Sequence, residues 1–428
     1  MHSVSGQPSG GSSTRLGRNF TEASMVGRPY QSSVTPGNQM STSSCWCSAP
    51  CLLMVTAMHT TNPRSGWPAT RVSDRLGLRH PIIQGPFGGG LSSVALAAAV
   101  SDAGGLGSFG VHHLEPAGIT AVAEELSAAT AGPVALNLWV SNHDVPEAEM
   151  TPERFTAAVA RLQPLYDEVG VEPPAFPGRF APVFDQQAEA VLRAAPAAFS
   201  FVFGVPDAGL LDEARARGIV SLGTATTPDE AVALDEAGVD VIVASGAEAG
   251  GHRGAFLRTA EDSLFGTLAL VAVVAAEAGA PVVAAGGIAD GRGVAAALTL
   301  GAEGVQIGSA FLATEESGTT PEHRAALRLH ARHTRLTRAY SGRLARGIPN
   351  RLLEELTAGG AIEPYPYQGF LLAPILAAAR AEGRTDLVVL WSGQAAPLVT
   401  HRHARELYAA LVRDTAALLT TTLEGATR

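Results

Sequence analysis

Cysteine is absent from His59 to Arg428; the three that exist, Cys45, Cys47 and Cys51, crowd into one short early stretch. The body of the chain therefore has no disulfide, no thiolate metal site and no cysteine nucleophile. That suits a reducing, cytoplasmic setting. Basic charge is also scarce: 30 Lys and Arg stand against 40 Asp and Glu, a formal net charge of −10. Nucleic acid needs a basic face to neutralise its phosphates, so no such partner is expected. Trp46–Met58 is mildly apolar, but too short to span a bilayer and too deep for an ordinary signal peptide. No membrane association is expected.

What is present divides into three parts. Residues 1–68 are rich in Ser, Thr, Gly and Pro and lack any helix or strand period, so disorder is the expectation. An overlong reading frame, with translation starting at Met54 or Met58, explains the same stretch. The Cys-x-Cys-x3-Cys spacing has no histidine or further cysteine framing it, and no metal site is expected there.

From Arg71 onward short apolar runs alternate with Ala-rich helical stretches. Eight strands are predicted: His80–Gln84, Gly105–Phe109, Pro133–Leu138, Ala198–Phe203, Ile219–Leu222, Val239–Ala244, Pro281–Ala285 and Gly304–Gly308. Ser92–Ala103, Pro228–Ala237, Ser263–Ala278 and Asp290–Leu300 carry helix formers with apolar residues three and four apart. Strands apolar throughout suit a parallel sheet covered on both faces. Eight such units over roughly 240 residues predict an α/β fold, a TIM (β/α)8 barrel spanning 71–315. Between Leu138 and Ala198 lie about sixty residues, an insertion (141–197) that reads equally as a lid or a surface excursion. Thr151–Leu165 within it reads as helical. Beyond Leu312 no strand is predicted. Pro321–Arg338 and His401–Leu423 look helical, with Leu407, Leu411 and Leu418 on one face, giving a helical appendage over 316–428. His323, His330 and His333 read as a solvated helix face, not a metal site.

The chemistry is expected at the carboxyl ends of the barrel strands, with phosphate held by the last two loops. Gly286-Gly287 follows the seventh predicted strand, and Gly308-Ser309 ends the eighth. Glycines let backbone N–H groups converge on phosphate oxygens, and Ser309 adds a hydroxyl. After the first strand, Gln84-Gly-Pro-Phe-Gly-Gly-Gly90 leaves backbone open to a flat ring, though a plain turn explains it equally. Asn137, polar within Val134–Val140, needs a hydrogen-bond partner: a ligand edge or a loop carbonyl. The sixth strand opens into Ser245-Gly-Ala-Glu-Ala-Gly-Gly-His252-Arg-Gly254. Its imidazole would accept a substrate proton or, when charged, attract an anion, with Glu248 and Arg253 tuning it in opposite directions.

These residues resemble the nitronate monooxygenase family. The resemblance rests on Pro81-Ile-Ile-Gln-Gly-Pro-Phe87, Leu96-Ala-Ala-Ala-Val-Ser-Asp-Ala-Gly-Gly-Leu-Gly107, Glu248-Ala-Gly-Gly-His252 and Val305-Gln-Ile-Gly-Ser309. Tyr340-Ser-Gly-Arg-Leu-Ala-Arg-Gly-Ile348 and Leu390-Trp-Ser-Gly-Gln394 look like C-terminal motifs of its class I members. The resemblance implies non-covalent FMN, with Gly85, Pro86, Phe87 and Asn137 toward the flavin ring and Ser245 and Gly250 in the histidine loop. Gly286, Gly287, Gln306, Ile307, Gly308 and Ser309 would hold the ribityl phosphate, and His252 would be catalytic. It implies oxidation of alkyl nitronates, such as propionate 3-nitronate, by dioxygen to a carbonyl compound and nitrite. Two departures stand out: Phe87 where the family usually has methionine, and Ser245 where it usually has glutamine. The competing readings are an FMN-dependent NAD(P)H reductase on the same barrel, of the enoyl-ACP or quinone reductase type, and a degenerate flavin-binding protein.

Overall fold

The computed structural model describes residues 67–140 and 149–426, with side chains as far as residue 420. The expectations for the N-terminal tail, its start and its cysteines fall almost wholly outside the described residues, as does the beginning of the insertion.

The strands run β1 (Ile82–Gln84), β2 (Gly107–Gly110), β3 (Val134–Trp139), β4 (Ala198–Val202), β5 (Val220–Ala225), β6 (Val241–Ser245), β7 (Gly251–His252), β8 (Val282–Ala285) and β9 (Gly304–Ile307). All but β7 join one parallel sheet in the order β1-β9-β8-β6-β5-β4-β3-β2. Its two ends meet: Ile83 bridges Leu106, with Gln84 N donating to Leu106 O at 2.9 Å and Leu106 N to Ile82 O at 3.0 Å. The sheet is thereby a TIM barrel, as the alternating pattern predicts.

Period-two alternation explains why both strand faces are apolar. Ile83, Leu106, Val243 and Val283 fill the barrel interior, while Ile82, Leu136, Ile242 and Val305 pack outward under the helices. Helix Arg71–Leu76 adds Val72 and Leu76 to the interior cluster. Helix starts are set by local chemistry. Thr151-Pro152, Thr227-Pro228 and Thr320-Pro321 each place a capping hydroxyl before a proline whose missing N–H costs nothing there.

The described part of the insertion is a buttress. Helix Pro152–Val169 docks on helix Tyr367–Ala381, where Tyr166 Oη donates to Leu371 O at 2.6 Å. A second helix, Phe184–Ala194, sends Gln187 Nε2 to the carbonyls of His112 and Leu114 at 2.9 and 2.8 Å.

The strand-free reading of the C-terminal part is wrong. Helix Pro321–Leu329 stops early, and β10 (Arg335–Thr337) and β11 (Ala345–Gly347) follow. β11 pairs antiparallel with β10 and with β7, in register Ala345↔His252 and Arg346↔Gly251. Three-residue strands carry too few positions to show a period, and their partners are distant in sequence. His323 also departs from expectation: it is 3% exposed, with Nε2 3.0 Å from Trp391 O, whereas His330 and His333 are exposed. Helix Ala404–Ala426 buries Leu407 and Leu411 as predicted, but Leu418 is 39% exposed. This helix crosses so near Gly291 that a Cβ there would lie 2.6 Å from Asp414 Cβ.

Candidate active site

The carboxyl ends of the barrel strands open into a cavity of about 1240 Å³, its solvent-facing part included. Gly85, Pro86 and Phe87 line it from the β1 loop, Asn137 from β3, and Ser245, Gly250 and His252 from the β6 loop. Gly286, Gly287, Gln306, Gly308 and Ser309 line it after β8 and along β9. Ile307 does not: it is fully buried in the outer core, and its carbonyl accepts from Gly85 N at 2.9 Å. Alternation along β9 turns Ile307 away from the cavity that Gln306 faces.

The rim after β8 is bare backbone. Gly286 and Gly287 have φ of +100° and +69°, a region that side chains avoid, and a Cβ on Gly286 would lie 3.0 Å from Gly246 O. At Gly308 a Cβ would meet only Phe87 Cε1, at 3.8 Å, so this backbone faces open space. Ser309 Oγ accepts from Gly393 N at 2.8 Å and keeps its own proton to donate. Asn137 finds a protein partner, Nδ2 donating to Ser200 Oγ at 3.0 Å, and also lines the cavity.

His252 sits on β7, held at its backbone by β11. Its Nε2 lies 2.7 Å from Ser341 Oγ. Trp139 meets the ring edge-on at 4.8 Å, and Trp391 tilts against it at 5.0 Å. Burial among these rings pushes the imidazole from its usual 6.5 down to about 4. The histidine is therefore neutral at pH 7, a hydrogen-bonding group and a base rather than a cation. Neither expected tuner is involved. Glu248 is spent on Thr267, accepting from its N at 2.9 Å and its Oγ1 at 2.8 Å. Arg253 is 1% exposed and clamps the end of β6, donating to Gly246 O at 2.6 Å and Ser245 O at 2.9 Å.

A loop from the C-terminal part closes over the histidine loop. Trp391, Ser392 and Gly393 line the cavity, and a Cβ on Gly250 would stand 2.5 Å from Gly393 N. Neither Tyr340 nor Gln394 lines the cavity: Tyr340 is buried and its Oη donates to Asn350 Oδ1 at 2.9 Å, whereas Gln394 is exposed and its backbone N donates to Glu248 O at 2.9 Å.

Sequence reasoning missed the aromatic side of the cavity. His112 stacks on Trp139 with centroids 3.8 Å apart and planes 7° apart. Phe203 packs edge-on to Trp139 at 5.0 Å with a φ of 74°, rare for a bulky residue. Arg343 lies over the Phe203 and Tyr365 rings at 3.8 and 3.9 Å. Ser341 lay inside a motif already singled out, and Trp139 two residues after Asn137; spacing alone does not bring them to His252. Among the described residues no cluster of three or more His, Cys, Asp or Glu is arranged to hold a metal, and no helix is long and apolar enough to cross a membrane.

Known proteins resemble this chain. The nitronate monooxygenase family model matches residues 69–414. A nitronate monooxygenase of Pseudomonas aeruginosa is 41% identical over 80% of this chain and 98% of its own length. One of Paraburkholderia phytofirmans is 43% identical over 79% and 93%. Among solved structures, a nitroalkane oxidase from Streptomyces ansochromogenes superposes with a TM-score of 0.75 at 34% identity, covering 82% of this chain and all of its own. FabK from Thermotoga maritima follows at 0.66 and 26%, covering 84% and 99%. With both glycine rims, the histidine loop and the C-terminal closing loop inside the matched span, the chain belongs to the nitronate monooxygenase family, a family of flavoenzymes.

Proposed function

We propose that this chain oxidises alkyl nitronates, propionate 3-nitronate among them, with FMN as its flavin and dioxygen as oxidant, yielding a carbonyl compound and nitrite. The observation that carries this reading is a neutral His252, walled by aromatic rings, beside bare glycine rims at the carboxyl ends of the barrel strands. Those rims fit a flavin mononucleotide. Gly286, Gly287 and Gly308 leave room where side chains would intrude, and Ser309 retains a proton for a phosphate oxygen. Gly85, Pro86, Phe87, Asn137, Ser245, Gly250 and Gln306 border the same cavity and would meet the ring and ribityl chain.

When bound, the flavin supplies the electron transfer between substrate and oxygen. The protein's part is orientation and proton handling. Ser341 fixes one nitrogen of His252, so the ring presents Nδ1, which has no partner among the described residues. Through it His252 would hold a nitronate oxygen, or remove the α-proton of a neutral nitroalkane. Trp139, Phe203 and Trp391 keep water from the imidazole, which strengthens both interactions.

The test is direct. Purified holoprotein should be yellow, release FMN on heating, and form nitrite from propionate 3-nitronate in air. Colourless protein that fails to take up added FMN overturns the reading. Rapid anaerobic bleaching by NADH, with no nitrite from nitronates, would instead favour an NAD(P)H reductase.

A further inference from the structure

His112 is a cavity residue for which the oxidation chemistry finds no use. It lies two residues after β2, lines the same cavity as His252 and is locked in place: Trp139 covers one face of its ring. It also occupies the space of a missing side chain, since a Cβ on Gly88 would lie 2.0 Å from His112 Cε1. The ring cannot swing away without losing that stack.

Its hydrogen bonding is incomplete. Nδ1 is enclosed and has no partner among the described residues. Nε2 makes no bond to a described residue and is left to the cavity. Orphaned buried N–H groups are rarer in proteins than under-satisfied acceptors, so the proton is assigned to Nε2. Burial, then the neighbouring His113, His252 and Arg343, keep the ring from taking a second proton. The cavity wall thus presents one fixed N–H donor with no acceptor among the described residues. Apolar ligands would leave it unpaired; a ligand with a second oxygen acceptor would not.

We propose that His112 is a specificity-determining residue whose Nε2–H binds an acceptor oxygen on the tail of the substrate, so that the site prefers nitronates bearing a carboxylate or hydroxyl over plain alkyl nitronates. This rests on the nitronate-oxidising function proposed above.

Nitrite release is measured from three nitronates: propionate 3-nitronate, 3-hydroxypropyl-1-nitronate and propyl-1-nitronate. The wild-type protein should favour the carboxylated substrate over the plain one by about ten-fold or more in kcat/KM, with the hydroxylated one between. His112→Phe keeps a flat ring on Trp139 but removes the donor, and the preference should collapse toward one. His112→Gln returns a donor and should recover part of it. An unchanged preference in His112→Phe, or an equal fall for all three substrates, overturns the proposal. So does weaker flavin binding with the preference intact, because the ring would then be a cofactor contact.

A second readout needs no turnover. Succinate replaces the planar nitronate of propionate 3-nitronate with a planar carboxylate, and butyrate lacks the distal oxygens. Titrated against the visible flavin spectrum, succinate should bind wild type about ten-fold tighter than butyrate, and His112→Phe should bind the two alike. If no nitronate yields nitrite, the oxidation reading fails and this titration alone decides. Loss of the succinate preference in His112→Phe then supports the role of His112; its absence in wild type, or its persistence in the variant, removes it.

Discussion

Two sides of one cavity are built on opposite principles. The side after β8 and β9 is backbone: Gly286, Gly287 and Gly308 offer no side chain at all. The opposite side is side chain: His112, Trp139, Phe203 and Trp391 close ring against ring around His252. A backbone rim tolerates charge, because its N–H groups stay in place and cost little to organise. On the aromatic side burial strips water from the imidazole, and that holds His252 neutral. Under the proposed function the cavity would thereby separate a place for an anionic cofactor group from a place for a base.

The largest test of this contrast removes the base. His252→Ala should lower nitrite formation by about a hundred-fold or more while the visible flavin bands remain. Unchanged turnover takes the histidine out of the mechanism.

Breaking the opposite side should give the reverse pattern. Gly286→Ala forces a side chain to a φ of +100° beside Gly246 O, at a cost of about 1–3 kcal/mol. Flavin retention on gel filtration and the melting temperature should both fall. Full flavin occupancy at wild-type stability would show that the rim does not need its glycine.

Ser341→Ala sharpens the picture from within the wall. Loss of the 2.7 Å contact frees the ring of His252, and kcat should drop by about two- to ten-fold with the flavin spectrum unchanged. A kcat equal to wild type would show that Trp139 and Trp391 alone orient the ring.

Acid reports on the wall as a whole. His252 and His323 are each held near 4 in the folded protein, against 6.5 when unfolded. Between those values the unfolded chain binds more protons, so the stability is whole above about pH 6.5 and declines as pH falls; His112, held well below its usual value by burial, acts in the same direction. Melting temperatures from pH 7 to pH 4.5 should follow this course, less steeply in His323→Gln. An identical slope in that variant would place the titrating group elsewhere. The smallest effect belongs to the exposed pair Arg258–Asp229, outside both sides: Arg258→Ala should change stability by under about 0.5 kcal/mol.

The barrel was legible in the sequence because its signal repeats. Every strand of the parallel sheet overlaps a predicted one, and Gly250, Gly286, Gly287 and Gly308 reach the cavity because strand ends in this architecture converge. The aromatic wall was not legible. His112, Trp139, Phe203 and Trp391 come from four distant segments, and their spacing does not show that the rings meet. His323 read as solvated because its burial depends on the Trp391 carbonyl, 68 residues on. Even Ile307 follows this rule: its motif is right, and only the alternation along β9 turns it away.

The pairing of β7 with β11 also governs how this protein can be cut and recombined. Because the histidine-bearing strand takes its partner from beyond the barrel, the C-terminal third is no detachable module. A chain ended after Leu312 would keep every barrel strand and both glycine rims, yet strand His252 on an unpaired edge without Ser341 or Trp391. Exchange of parts between relatives must therefore carry the histidine loop and the C-terminal strands together.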